Sequence, residues 1–321
     1  MSLEYGWALA TALATFALLV IGGTVNPTGS SLACPEAFII CKGEFFPEMT
    51  GGVLFEHGHR QVAMTVGLLQ LVLTVLLWRR RPALRAVAGV ALAMVAVQAL
   101  LGALTVYFKL PWFVSTGHLM LAMAYFATVL YQAWRTRPEP APSPTPVRSS
   151  DQVRHWMLIG GAAVLAQILL GGLVRHHGAA LASIDLPLHH GSLWPAAAPL
   201  ALKLHMAHRL LGVAVGVIVC LAAWKIWRGT DGLRRPNMRR AALAAPIVVL
   251  AQVTLGILVI ATYRSIPIVV AHFGGAALLW GLFTGMWWAS AASEPAERRS
   301  PTASPGDSLT SVGGLASGGA R

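Results

Sequence analysis

Uninterrupted apolar runs, each close to the ~20 residues that cross a bilayer as a helix, recur eight times along this chain. They lie roughly at 5–24, 54–78, 83–106, 112–134, 153–174, 200–227, 241–263 and 266–290. Charged residues make up only 11% of the sequence, so a water-facing surface for so many helices cannot be assembled. A backbone inside lipid must satisfy its own hydrogen bonds, and runs of this length without strand alternation select helix over barrel. The expected fold class is an all-α integral membrane protein of eight transmembrane helices. The first run is kept as a helix rather than a cleaved leader, because its start carries Glu4 and no Lys or Arg, and a counterpart lies inside the chain at 153–174.

The formal net charge of +12 raises the question of an anionic partner. Its distribution answers it. Arg79, Arg80, Arg81 and Arg85 follow the second run, and Arg135, Arg137, Arg148 and Arg154 surround the connection between the fourth and fifth. Lys225, Arg228, Arg234, Arg235, Arg239 and Arg240 fill the connection between the sixth and seventh, and Arg298 and Arg299 follow the eighth. All fall on one side of an eight-helix topology, which the positive-inside rule makes cytoplasmic, both termini included. Topology and anionic headgroups account for the charge, and no nucleic-acid partner is expected. The proline-rich segment 136–152 reads as an extended linker, and the Ser-, Gly- and Pro-rich tail from about 293 as disordered.

The linker divides a tandem duplication. At an offset of 149, Gly22-Gly23 matches Gly171-Gly172, Gly29 matches Gly178, and His59-Arg60 matches His208-Arg209. At an offset of 154, Gln98, Gly102 and His118 match Gln252, Gly256 and His272. Gln-x-x-x-Gly, present also at Gln167/Gly171, places an amide and a small residue on one helix face. Helix packing is its first reading, with hydrogen bonding to a buried ligand as the alternative.

Each half therefore carries two histidines. Runs 2, 4, 6 and 8 all enter from the outer face, and the four histidines lie roughly 7 to 12 Å inside their starts at 1.5 Å per residue. Ionisable residues within a membrane favour function. Paired imidazoles at one depth can ligate a haem iron from both faces within a four-helix bundle. The expected sites are His59 with His118 and His208 with His272. A zinc or copper site is the competitor, but thiolate or carboxylate partners are missing from three of the four positions.

The halves differ chemically. Glu56 precedes His59 by one helical turn, whereas the second half has His205 at that place. Such a carboxylate can pass protons at a haem edge, or merely cap the start of its helix. Cys34 and Cys41 occupy the first outer loop, and at the uniform offset their counterparts are Ser183 and His190. They can close a small ring worth about 2.5 kcal/mol, or act in redox chemistry. Cys220, within the sixth run, reads as packing.

These residues resemble the haem A synthase family, membrane enzymes of cytochrome oxidase biogenesis, over roughly 5–290. The most specific parts are Gly22-Gly23-Thr24-Val25 leading to Thr28-Gly29, Ala33-Cys34-Pro35 to Cys41, Glu56-x-x-His59-Arg60, His118, His208-Arg209 and His272. The resemblance implies two pseudo-symmetric four-helix bundles: residues 1–135 for substrate haem O and 153–292 for a haem b cofactor, joined by 136–152 and followed by a 293–321 tail. It implies oxidation of the C8 methyl of haem O to the formyl of haem A. His59 and His118 would bracket the substrate iron, Glu56 would be catalytic in proton handling, and His208 and His272 would hold haem b. Arg60 and Arg209 are candidates for propionate contacts or headgroup anchoring. Haem O synthase, an unidentified electron acceptor and a homo-oligomer are the implied partners, in the cell's inner membrane with the haem sites near the outer face.

The second outer loop lacks the cysteine pair of some members and carries His176, His177, His189 and His190 instead, which resembles the single-pair type. His57 is turned about 100° from Glu56 and is expected at the surface or against a propionate. A di-haem b electron-transfer cytochrome, or a haem carrier, would use the same histidines. The cytochrome would leave Glu56 and the Cys34/Cys41 pair without a task, and the carrier would use exchangeable sites.

Overall fold

The computed structural model describes residues 2–36, 39–138, 149–195, 197–230 and 235–290. They form α1 (Leu3–Val25), α2 (Gly51–Arg80), α3 (Arg85–Tyr107), α4 (Trp112–Thr136), α5 (Asp151–His176), α6 (Leu200–Arg228), α7 (Pro236–Ala261) and α8 (Ile266–Ser290). All eight are long and apolar enough to cross a membrane. The expected spans hold, with two extensions that have physical causes. α2 opens at Gly51 after an extended Thr50, and α7 opens at Pro236 in its first turn, where the missing N–H costs nothing. Hydropathy marks only the stretch that suits lipid, whereas the α7 helix continues beyond it through Arg239 and Arg240. Most of the linker and the whole tail lie outside the described residues. The linker's ends are taken by α4 up to Thr136 and by α5, which Ser150 caps by accepting from the Val153 amide.

In each half the helices close a ring: α1 packs on α2, α2 on α3, α3 on α4 and α4 on α1, and α5 to α8 repeat the pattern. The halves meet through α1 on α8, α4 on α8 and α4 on α5. Their seam is part of one continuous core, in which Met123, Phe126 and Val129 of α4 join Met157 and Val164 of α5 and Phe283 of α8. Glycines let helices approach there. A Cβ at Gly160 would overlap the Phe283 ring, and one at Gly281 would lie 3.1 Å from the ring of Phe126. The Trp280 indole N–H donates across the seam to the Met123 carbonyl at 2.9 Å. The outermost helices, α3 and α7, expose apolar rows such as Val90, Val97 and Leu100, and Leu243, Ile247 and Leu250, a surface suited to lipid. Cys220 also faces outward, so the packing expected of it is not found.

The duplication extends to backbone conformation. Gly29 and Gly178 are both left-handed, as are Lys42-Gly43 with His190-Gly191 and Lys109-Leu110 with Tyr263-Arg264. The first outer hairpin pairs Cys41 with Glu44, the second His189 with Ser192. Within these hairpins the offset is therefore 148, not 149, and the structural counterpart of Cys41 is His189 rather than His190. A single-residue difference in loop length hides this from a uniform alignment.

Candidate functional site

The four histidines occupy matched registers: His59 and His208 lie eight residues past the first residue of α2 and α6, and His118 and His272 six past that of α4 and α8. Each ring rests on a glycine of a neighbouring helix. A Cβ at Gly22 of α1 would sit 2.8 Å from His59 Cε1, and one at Gly171 of α5 would sit 3.1 Å from His208 Cε1. Gly102 of α3 and Gly256 of α7 each leave 3.4 Å to the Cε1 of His118 and His272. In all four the Cε1–Nδ1 edge lies on this wall, and Nε2 is the ring nitrogen farther from it. The glycines of the Gln-x-x-x-Gly segments thus make room for imidazoles.

His208 and His272 stand with ring centroids 6.5 Å apart and planes at 81°. Two metal–nitrogen bonds of about 2 Å, with about 1.1 Å from each nitrogen to its ring centre, give roughly 6.2 Å for two imidazoles sharing one ion. The observed spacing fits. The Nδ1 atoms of His59, His118 and His272 are buried without hydrogen-bond partners among the described residues. None of the four belongs to a group of three or more clustered His, Cys, Asp or Glu side chains of the kind zinc prefers, again among the described residues.

The glutamines of the repeated motif hold the histidine backbones. Gln98 donates to the His118 carbonyl at 2.9 Å, and Gln167 to the His208 carbonyl at 2.9 Å while also reaching the His208 Nδ1 at 3.1 Å. The Gln252 amide instead packs against Gly275, one turn on from His272, where no Cβ would fit. At the α1 position equivalent to Gln167 stands Leu18. His59 therefore lacks the latch that its repeat counterpart His208 has, an asymmetry that sequence reasoning passed over although the repeat alignment contained it.

Above the sites, both outer loops are tied to α2 and α6 by the same device. Arg60 donates to the carbonyls of Glu36 at 2.7 Å and Cys34 at 3.2 Å; Arg209 donates to those of Asp185 at 2.7 Å and Ser183 at 2.6 Å. Glu56 completes the first set. Its carboxylate accepts from the Cys34 amide at 2.9 Å and from Arg60 at 2.6 Å. In the second set His205 stands within 3.3 Å of the Ser183 amide and 3.2 Å of the Arg209 Nε. A neutral imidazole has one acceptor nitrogen, so it can serve only one of these donors, whereas the carboxylate serves both. The capping role considered for Glu56 is excluded, since α2 has no acidic residue in its first turn and Glu56 is buried.

Cys34 and Cys41 form a disulfide, both fully buried. In the second loop the equivalent positions are bridged by a hydrogen bond between His189 Nδ1 and Ser183 Oγ at 3.1 Å. His57 does not lie at the surface as its helical angle suggested. It is fully buried beneath the first loop, with Nε2 3.0 Å from the Phe45 carbonyl, and it groups with the two sulfurs. Phe45 lies beyond the disulfide ring, so only the folded loop brings it over α2. At the exposed tip, hydrogen bonds from its own, the Lys42 and the Gly43 amides hold the Glu36 carboxyl below its usual range. With the second loop built on a hydrogen bond at the same place, a Cys34→Ser/Cys41→Ser variant is expected to fold and keep both histidine pairs. Its destabilisation should be about 2.5 kcal/mol or less. Thermal unfolding with haem retention checks this, and complete inactivity in an intact fold would assign the pair to redox chemistry.

Residues 48–284 match the family model of the cytochrome oxidase assembly proteins. A heme A synthase of Symbiobacterium thermophilum is 31% identical over 296 residues, covering 87% of this chain and 91% of that protein. The chain is a member of the haem A synthase family. Further members include the heme A synthases of Geobacillus kaustophilus, 28% identical over 87% of this chain and 88% of its own, and of Rhodospirillum centenum, 28% identical over 86% and 85%. The span matched by the family model contains Glu56 and all four histidines, while Cys34 and Cys41 precede it.

Proposed function

We propose that this chain is a haem A synthase, oxidising the C8 methyl of haem O through a hydroxymethyl stage to the formyl group of haem A for cytochrome oxidase. The observation that carries the reading is the likeness to heme A synthases along nearly the whole chain, joined to two imidazole pairs on glycine walls. Each hydroxylation exchanges a C–H hydrogen for a hydroxyl and releases protons and electrons. The half assigned to the substrate must therefore offer a proton path.

The first half, 1–135, is read as the haem O site, with His59 and His118 bracketing the substrate iron. Its support is that Glu56 lies one turn outward from His59, and that His59 lacks the glutamine latch, as suits a ligand that must release product. The second half, 153–292, is read as the holder of haem b through His208 and His272. The 6.5 Å ring separation and the Gly171 and Gly256 walls fit that group. When bound there, haem b supplies a one-electron carrier. Glu56 would hand protons from the reacting edge toward the loop by exchanging its Cys34 amide and Arg60 partners. Propionate contacts from Arg60 and Arg209 would be shared with the loop carbonyls they already serve.

The end of the bundle opposite the histidines carries Arg79 and Arg80, Arg135, and Lys225 and Arg228 in the last turns of α2, α4 and α6. By the positive-inside rule that end is cytoplasmic, and the haem sites then lie toward the outer face of the cell membrane. Haem O synthase, a separate electron acceptor and a homo-oligomer complete the reading as partners.

The deciding experiment is mass analysis of haems from membranes in which this chain is expressed with a haem O synthase, in a host that makes no haem A. Haem A or its hydroxymethyl precursor is the expected product. Unchanged haem O beside well-folded, haem-loaded protein would overturn the enzyme assignment in favour of an electron-transfer or carrier role.

A further inference from the structure

Arg175 makes no hydrogen bond to the loops that Arg60 and Arg209 clamp, among the described residues. It ends α5, in the second half, and its Nε is buried without a hydrogen-bond partner among the described residues. None of the ion pairs found there involves it, and Arg264 adds a second positive charge nearby. A buried donor without an acceptor is costly, so a native fold that keeps this Nε unpaired calls for an anionic acceptor supplied from outside the chain.

Its position says where that anion sits. Gly172 shares a helix face with Arg175 at a spacing of three residues. A Cβ at Gly172 would lie 2.9 Å from Leu119 and 3.9 Å from Thr116, so this face of α5 rests on the turn of α4 that carries His118. One turn farther out, the Trp112 and His177 rings stand 5.5 Å apart and close the same seam. Thr116, also buried, has a hydroxyl with no partner among the described residues. Two orphaned donors thus flank the same contact of α5 with α4, one contributed by each half. The pseudo-symmetric places hold Asn26 and Val270, so the second-half pair has no such arrangement.

The geometry points to Arg175, with Thr116, as the carboxylate-binding residue that seats a propionate of the haem substrate in the His59/His118 site. The inference rests on the reading of that pair as the haem O site. It makes the second half a structural contributor to substrate binding, and it selects for free-acid porphyrins at one site only.

The test titrates purified protein, its second site loaded, with haem O and with haem O dimethyl ester, following the Soret shift. Wild type is expected to bind the free acid at least about tenfold more tightly than the ester, the order of a charge-assisted hydrogen bond. Arg175→Gln should erase that preference while binding the ester like wild type. Arg175→Lys, which keeps the cation without the planar fork, should retain part of it. An unchanged preference in Arg175→Gln overturns the inference alone, and equal binding of acid and ester by wild type overturns it without any variant. Haem O binding that survives both His59→Ala and His118→Ala overturns the underlying site assignment instead.

Discussion

A His272→Ala variant is expected to lose the haem b proposed for the second half, with the haem b content of purified protein falling at least about tenfold, because one of the two imidazoles that would hold its iron is gone. The neighbouring structure should tolerate the change. The ring only rests against Gly256, so its removal opens a local cavity on that wall. His59→Ala, made in the other pair, should leave haem b in place while abolishing haem A formation. The two spectra together decide the assignment: unchanged haem b in His272→Ala would show that the pairs are wrongly assigned, whatever the activity.

Substitution of Glu56 should have an effect of similar size on product, but by a route that only the structure separates. Glu56→Ala removes the acceptor for the Cys34 amide and the counter-charge for Arg60 at once. Breaking a buried pair of this kind costs about 3–5 kcal/mol, and the loop carbonyls that Arg60 also serves place this one at the lower end. Loss of haem A formation in that variant would therefore mix loop collapse with lost proton transfer. Glu56→Gln still offers an oxygen to the Cys34 amide but cannot carry the proton. It is expected to keep the disulfide loop, the fold and the second-half haem b, and to form no haem A. Wild-type haem A yield from a well-expressed Glu56→Gln protein would remove Glu56 from the chemistry and leave it as a clamp on the loop.

Much of the site could be read along the chain because lipid leaves a linear record. Helices that must satisfy their own backbones appear as apolar runs, and a duplication repeats its histidines at nearly constant spacing. The glutamines were visible too, yet their donation to histidine carbonyls was not, since an i, i+4 pattern names a face without naming what that face meets. His57 shows the same gap more sharply. Its helical angle turned it away from Glu56, but the outer loop folds over that side of α2 and buries it. The pairing of Cys41 with His189, rather than His190, emerged only when both hairpins showed their left-handed turns.

The sequence by itself determined the eight helices, the duplication, the four histidines at matched registers and the chemical asymmetry of the two loops, because each follows from local hydropathy or from repeated residue identity. Tertiary structure decided which guanidinium does what. Arg60 and Arg209 clamp the loops through backbone carbonyls distant in sequence, while Arg175 stands on the α5 face that meets α4 of the other half. No local signal carries that information, because it depends on how each helix is rotated about its axis and on which glycines let the halves approach.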